Sequence, residues 1–366
     1  MGKHRIQPEP ISETALAVDN SKKRGTHMKS KPLGSSGIHV SNFALGTMTF
    51  GAETSKADAF RQLDEFTDRG GTYIDTADGY ADGASEQIIG EWSAQRGGVT
   101  DLVIATKGRF SPPPGSAGAS RRSLVRSIDA SLKRLKADAI DLYYVHGWDP
   151  NTDVQDTLLA LKDLVAAGKI HHFAWSNTAG WQLQKILTLS DKLGVSRPAC
   201  LQVQYNLLER GIELEVLPCC LENSVAITVW SPLAGGWLTG KYSAVERPAT
   251  DTRLGDDPKR GDGYDFRNSD RTYAILALMK QIAEGRDCPL AHVALAWAAS
   301  RPGVASVLVG ARTVQQMQSN LAASELNLTE NEAAALCRAS GAGTLPYPYN
   351  FLGGPCGMKV WHTLGT

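Results

Sequence analysis

The amino-acid sequence predicts a closed (β/α)8 barrel, the TIM-barrel architecture, on three observations. Apolar runs alternate eight times with helix-like segments between residues 43 and 323. Several runs, DLVIAT at 101–106, IDLYYV at 140–145 and VAITVW at 225–230, are short and almost continuously apolar, as strands covered on both faces are. Side chains capable of acid–base chemistry fall where such runs stop, and strand ends on one rim of a parallel barrel converge in space. A doubly wound open sheet is the competing arrangement. It normally brings a GxGxxG turn after its first strand, and the chain has no such pattern.

Taken in order, residues 1 to about 27 are polar, aperiodic and without the apolar core of a signal peptide. They read as a disordered tail or an expression-tag remnant, with Gly-Thr-His-Met at 25–28 resembling a cloning junction and Met28 a natural start. Residues 28–366 read as a single barrel domain. LGSSGIHVSNFALG predicts a hairpin with Ser-Gly at its turn, leading into the first buried run. The eight runs end near Thr47, Asp75, Lys107, His146, Trp175, Gln204, Trp230 and Val309. Helices are expected over roughly 56–69, 85–95, 120–135, 154–167, 179–193, 212–224, 271–300 and 313–323. Three Pro/Gly-rich stretches break the alternation: 111–120, 243–270 and the segment from 341 onward. Long loops on a barrel's active rim shape a substrate pocket, and all three are expected there.

Composition narrows the function. The chain is 42% hydrophobic and 21% charged, with 38 basic and 38 acidic side chains, so no bulk charge invites nucleic acid or an anionic membrane. No apolar run approaches the ~18 residues that span a bilayer. The six cysteines show no metal-ligand spacing, and the adjacent Cys219 and Cys220 would strain a disulfide. Reduced cysteines, no metal and a cytoplasmic location are the expectations.

Chemistry concentrates around YIDTADGY. Tyr80 can give a proton to an oxygen that gains charge. An ammonium from Lys107, ending VIATKG, would favour its phenolate, and Asp75 would hold that lysine and balance its charge. His146, ending LYYVHG, can donate a hydrogen bond to a carbonyl oxygen and orient it. Singly, each has a plainer reading as a packed strand-end residue; four together at strand ends make a proton-transfer site. VLVGARTVQQMQSN at 307–320 opens the last helix, where Gly310 and Ala311 allow close backbone approach and free N–H groups with Arg312 suit a phosphate. A plain barrel helix with a surface arginine is the alternative. GGWLTGK within 230–242 imitates a nucleotide P-loop, but Tyr242 stands where a Ser or Thr must meet magnesium, and Trp237 and Leu238 crowd the loop. ATP or GTP hydrolysis is rejected. A small-residue loop under a dinucleotide pyrophosphate, with Trp230 as a stacking platform, fits better.

GTMTFG, DTADGYADGASEQIIG, KADAIDLYYVHGWD, FAWSNT, LQVQYNLLER, WSPLAGGWLTGKY and GARTVQQMQSN together resemble the aldo-keto reductases, in the branch that includes potassium-channel β-subunits, from about Lys31 to residue 340. The resemblance implies a barrel that binds NADP(H) and reduces aldehydes or ketones, or oxidises the corresponding alcohols. By position it implies a catalytic tetrad of Asp75, Tyr80, Lys107 and His146, with Tyr80 the general acid. It implies carboxamide contacts from Ser176, Asn177 and Gln204, and ring stacking on Trp230. Ser231, Pro232, Leu233, Gly235, Gly240 and Lys241 would hold the pyrophosphate, and Gly46, Thr47 and Met48 would line the floor. Gly310, Arg312, Gln316 and Asn320 would take the adenosine end, Arg312 meeting the 2′-phosphate. AWSNT departs from the more usual Gly-Val-Ser-Asn, and the tail YPYNFL is not assigned by the resemblance, which bears on substrate rather than chemistry.

Two readings from other classes compete. An NADP(H)-sensing regulatory subunit with little turnover would keep the same residues. A barrel hydrolase would need two carboxylates at strand ends, and Asp75 alone is clear. The small-molecule substrate is a carbonyl compound or alcohol, and the oligomeric state, monomer or homo-oligomer, stays open. Trp148 follows His146, and Phe110, Tyr264, Phe266, Tyr347 and Tyr349 sit on the rim loops, either as an apolar wall or as loop anchors. A wall would suit a bulky or cyclic carbonyl compound, and bacterial relatives of this pattern handle sugars, vitamin aldehydes, aromatic aldehydes and alicyclic ketones, including ketone forms of fungal toxins.

Overall fold

The computed structural model describes residues 28–110, 117–250, 252–256, 263–341, 345 and 347–353. The N-terminal tail and parts of all three Pro/Gly-rich stretches lie outside those residues. A hairpin of β1 (Ser30–Pro32) and β2 (His39–Ser41) comes first, antiparallel with Lys31 opposite Val40. Its turn is closed by the Leu33 N–H donating to the Ile38 carbonyl at 2.8 Å. Lys31 Nζ donates to the carbonyls of Ala299 and Val304, and a Cβ on Gly34 would lie 2.4 Å from the Ala199 carbonyl oxygen. These contacts fall where barrel strands begin, so the hairpin plugs the N-terminal mouth.

The eight apolar runs become β3 (Phe43–Gly46), β4 (Tyr73–Asp75), β5 (Val103–Gly108), β6 (Ile140–Val145), β7 (Ile170–Ser176), β8 (Cys200–Gln204), β9 (Ala226–Trp230) and β10 (Val304–Val309). Each pairs in parallel with the next, and β10 returns to β3 to close the barrel. Registers set Gly46 beside Asp75, Asp75 beside Ala105, and Gln204 beside Trp230, so the polar strand ends share one rim.

The helices are α1 (Lys56–Asp68), α2 (Ala84–Gln95), α3 (Arg121–Leu135), α4 (Val154–Ala166), α5 (Gly180–Leu193), α6 (Val216–Glu222), α7 (Arg253–Asp256), α8 (Tyr264–Arg267), α9 (Asp270–Gly285), α10 (Leu290–Ala299), α11 (Val314–Ala322), α12 (Glu330–Ser340) and α13 (Tyr349–Gly353). Their starts are chemically marked: Ser55, Ser120, Asp153 and Thr313 each accept a hydrogen bond from a backbone N–H in the first turn. Each barrel helix then buries one stripe, as α3 does with Leu124, Ile128 and Leu135.

Three expectations change. The helix expected over 271–300 is two helices, because Pro289 cannot continue α9 and instead caps α10, with Asp287 turning the chain at φ 49°. The segment expected as helix over 212–224 begins with a 3-10 turn, Gly211–Glu213, before α6. The stretch after α11 adds α12, which the apolar pattern did not announce. Buried Arg210 holds it there, pairing with Glu213 while donating to the Cys337 carbonyl at 2.6 Å and to Ser340 Oγ at 3.1 Å.

Helix α2 crosses the end of α3 at Gly90, where a Cβ would lie 2.3 Å from the Arg134 carbonyl oxygen and 2.7 Å from that of Leu135. Backbone cannot yield as a side chain does. Gly90→Ala should therefore lower the unfolding free energy by roughly 1–3 kcal/mol, the usual cost of overpacking, measured as a lower urea midpoint.

Candidate active site

Asp75 and Lys107 on their strands, and Tyr80 and His146 just after theirs, meet at the C-terminal rim. Lys107, the penultimate residue of β5, is fully buried, and its ammonium has three protons to place. It donates to Asp75 Oδ1 at 2.5 Å, to the Thr76 carbonyl at 2.7 Å and to the Tyr80 hydroxyl at 3.4 Å. The second oxygen of Asp75 accepts from Gln202 Nε2 at 2.8 Å. Burial opposes both charges of the pair, but the Asp75 carboxylate and the Tyr80 oxygen outweigh it for the lysine, whose ammonium is held above its ordinary range.

Tyr80 is half-buried and opens a 3-10 turn after β4, in which Ala81 and Asp82 take left-handed φ values of 47° and 53°. That turn sets the phenol beside the lysine. His146 follows β6, anchored by its N–H to the Gly108 carbonyl at 3.0 Å, and meets the Tyr80 ring edge-on at 6.3 Å. Burial first, then the nearby charges of Lys107 and Arg109, push its imidazole down to about 3. At neutral pH it is uncharged and keeps one N–H to donate.

The residues matched to a cofactor ring the same rim. Ser176 ends β7 buried, while Asn177 stands exposed at φ 55°. Asn177 Nδ2 donates to Ser176 Oγ at 2.9 Å and to the His146 carbonyl at 3.1 Å, and its Oδ1 accepts the Trp230 indole N–H at 3.0 Å. Gln204 is half-buried at the end of β8. Gln202, two residues earlier and so on the same face of the strand, was not singled out from the sequence. The Gln-x-Gln spacing in LQVQY was its only signal.

After Trp230 the backbone enters the left-handed region at Ser231, Ala234, Gly235, Gly236 and Gly240, a habit of anion-binding loops. Asn206 Nδ2 pins the Ser231 carbonyl at 2.9 Å. Pro232 is buried, Leu233 half-buried and Lys241 exposed. Trp237 and Leu238 turn into the core, Trp237 stacking on Tyr264 at 5.4 Å, which removes them from any phosphate wrap.

At the far end, Gly310 lies beside β3, where a Cβ would make an ordinary contact of 3.4 Å with the Gly46 carbonyl oxygen. Thr47 donates its N–H and hydroxyl to the Asp75 carbonyl, both at 3.0 Å, with Met48 beside it half-buried. The half-buried Arg312 sits 3.7 Å from Glu53 at the start of α11. Gln316 accepts from the Arg312 N–H at 2.9 Å, and Asn320 donates to the Gly310 carbonyl at 3.2 Å. These two side chains, expected to meet a ligand, also brace the turn that carries Arg312. Among the described residues no helix is long and apolar enough to cross a membrane, and Cys200, Cys219, Cys220, Cys288 and Cys337 are free thiols.

A sequence model of the Aldo/keto reductase family matches residues 42–340. The chain is 35% identical over 307 residues to an uncharacterised oxidoreductase of Bacillus subtilis, covering 81% of this chain and 91% of that protein. It is 32% identical over 338 residues to norsolorinic acid reductase B of Aspergillus parasiticus, covering 87% and 85%. It is 34% identical over 300 residues to a probable voltage-gated potassium channel subunit beta of Arabidopsis thaliana, covering 81% and 91%. The barrel, the rim it presents and these matches agree: the chain belongs to the aldo/keto reductase family and is an oxidoreductase.

Proposed function

We propose that the protein reduces an aldehyde or ketone to the alcohol with NADPH, or runs the reverse oxidation, with Tyr80 as the proton donor. The observation that carries this reading is the Tyr80 hydroxyl 3.4 Å from a fully buried ammonium that is itself neutralised by Asp75. A phenol next to such a charge can release its proton, because the phenolate left behind gains an opposite charge in a dry setting. His146, uncharged, donates its N–H to the carbonyl oxygen and fixes its direction toward Tyr80. Gln202 keeps Asp75 facing Lys107, so the charge that steadies the phenolate stays in place.

The rim also fits a phosphorylated dinucleotide. The left-handed turns from Ser231 to Gly240 suit an anion-binding loop, and Arg312 offers a fork of donors beside a helix start. Gly46, Thr47 and Met48 would form its floor, Ser176, Asn177 and Gln204 its amide contacts, and Trp230 its stacking face. Ser231, Pro232, Leu233, Gly235, Gly240 and Lys241 would hold the pyrophosphate, and Gly310, Arg312, Gln316 and Asn320 the adenosine end. NADP(H), when bound, supplies the hydride to the carbonyl carbon or accepts it from the alcohol. A second reading, a subunit that senses NADP(H) with little turnover, draws on the similarity to the plant channel subunit. Sustained NADPH consumption with a simple aldehyde decides between them.

Tyr80→Phe should cut kcat by at least ~10²-fold while NADPH binding stays intact; steady-state rates beside a binding titration check this, and a fully active variant would remove Tyr80 from the reaction.

Arg312→Ala should weaken NADPH binding and leave NADH binding unchanged. Charge-assisted bonds contribute roughly 1.5–3 kcal/mol, and the half-exposed setting shared with Glu53 favours the lower end, about tenfold. Tryptophan fluorescence titration with both cofactors reads it. Equal losses would make Arg312 a support of the turn.

His146 generates a pH prediction. Its imidazole falls from 6.5 to about 3 on folding, so between those values the unfolded chain holds a proton that the fold does not. Stability should decline as pH falls through this window, by at most ~1.4 kcal/mol per pH unit from this group. The urea midpoint of wild type should drop more steeply than that of His146→Asn between pH 6.5 and 4; parallel lines would mean a solvated imidazole.

A further inference from the structure

Arg109 follows the last residue of β5, two positions beyond Lys107, and its backbone sits at φ 133°, which a residue with a side chain enters only at a cost. The loop's return leg fixes it there, the Gly118 N–H donating to the Arg109 carbonyl at 2.8 Å. The guanidinium lies over the Phe110 ring, 4.3 Å from its centroid. Phe110 meets the His146 ring edge-on at 5.3 Å and packs on Gly147, where a Cβ would come within 2.8 Å of it. It nevertheless remains 55% exposed. One aromatic ring therefore touches both the imidazole of the proposed reaction centre and a guanidinium.

The charges around Arg109 are otherwise settled. Lys107 is balanced by Asp75, and His146 carries no charge at neutral pH. Asp149, the carboxylate that feels the Arg109 field, accepts from the Ala119 N–H at 2.7 Å, the Thr152 hydroxyl at 2.7 Å and the Asn151 N–H at 3.0 Å. Among the described residues no carboxylate forms an ion pair with Arg109, and its buried Nε has no hydrogen-bond partner. A buried donor left without a partner is unfavourable, so the guanidinium still has hydrogen-bonding capacity to offer. A second aromatic pair follows His146, where Trp148 meets Trp181 edge-on at 5.5 Å and Trp181 is 61% exposed.

The geometry points to Arg109 and Phe110 as a recognition pair for an aromatic aldehyde or ketone that carries an anionic oxygen group. The substrate ring lies against Phe110 with its carbonyl at Tyr80 and His146, and the anion meets the guanidinium. This deepens the carbonyl-reduction reading and rests on it. A neutral aromatic would keep the ring contact and forgo the charged one, so the two contributions separate by chemistry.

The test compares 4-carboxybenzaldehyde with its methyl ester, in wild type and Arg109→Gln, by NADPH consumption and by tryptophan fluorescence titration of each aldehyde. Wild type should favour the carboxylate. Arg109→Gln should raise its KM and Kd about ten- to hundredfold while shifting the ester by less than about twofold, and Arg109→Lys should restore part of the loss. Equal shifts for both aldehydes would overturn the proposal. Carboxylate binding that depends on Arg109 without reduction of either aldehyde would uphold it and bring down the reductase reading instead. Should Arg109→Gln fail to fold, wild type decides: its preference for the carboxylate must exist and must fall as salt rises, and absence of either sinks the assignment.

Discussion

The ion pair between Lys107 and Asp75 is the constraint on which the rest of the rim depends. Both side chains are buried, and withdrawing two such charges from water costs several kcal/mol per ion. The pair is sustained because every donor and acceptor is used. Lys107 spends its three protons on Asp75, Thr76 and Tyr80, while Asp75 spends its second oxygen on Gln202 from β8, across the barrel. The pair therefore fixes β4, β5 and β8 relative to one another. The same bonds that make it tolerable aim an ammonium at one phenol.

Two other tyrosines reach into the same barrel, and their environment keeps their hydroxyls protonated. Tyr73 and Tyr144 are fully buried and share a 2.7 Å hydrogen bond, with Cys200 and Thr228 completing the layer through the Tyr144 hydroxyl. Burial drives both phenols well above the ordinary range and pushes the Cys200 thiol up to about 12, so the layer stays protonated and inert. Tyr80 alone is half-exposed and within hydrogen-bond reach of Lys107. Depth in the barrel thus sets Tyr80 apart from the other two phenols. The hairpin over the opposite mouth leaves the C-terminal rim as the open face.

Much of this was legible in the sequence, because strand ends are marked by where apolar runs stop, and chemistry in a parallel barrel sits at those ends. Asp75, Lys107 and His146 were found that way, and Tyr80 through its spacing from Asp75. What escaped depended on three-dimensional partners. Gln202 looked like strand interior until Asp75 appeared opposite its amide. Helix α12 lacked a strong apolar period, and the buried Arg210–Glu213 pair that holds it is a tertiary feature. Pro289 was visible and should have divided the long helix. The aromatic residues on the rim loops split between the two readings: Tyr264 is an anchor stacked on Trp237, whereas Phe110 and Phe266 stand exposed. Arg109 drew no notice because its interest lies in a positive φ and in groups that do not pair with it, neither of which a sequence displays.

The turn proposed for the adenosine end is built differently from the phosphate site of a doubly wound sheet. In a doubly wound sheet one strand–turn–helix supplies the phosphate site, and its sequence is local. Here the turn after β10 is shaped from several directions. Thr49, Thr54 and Gln62, from the β3–α1 connection and α1 itself, all donate to the Ala311 carbonyl. Gln316 and Asn320 brace the same turn from within α11. Arg312 is thereby placed by groups that need not touch a ligand, and Glu53 opposes its charge from the β3 side. A phosphate arriving there would meet a guanidinium already held in position beside Glu53, so little ordering entropy would remain to be lost on binding. Preference for a phosphorylated adenosine would then rest on the exchange of one anion for another, and its size would follow from how much better a phosphate fills the fork than Glu53 does.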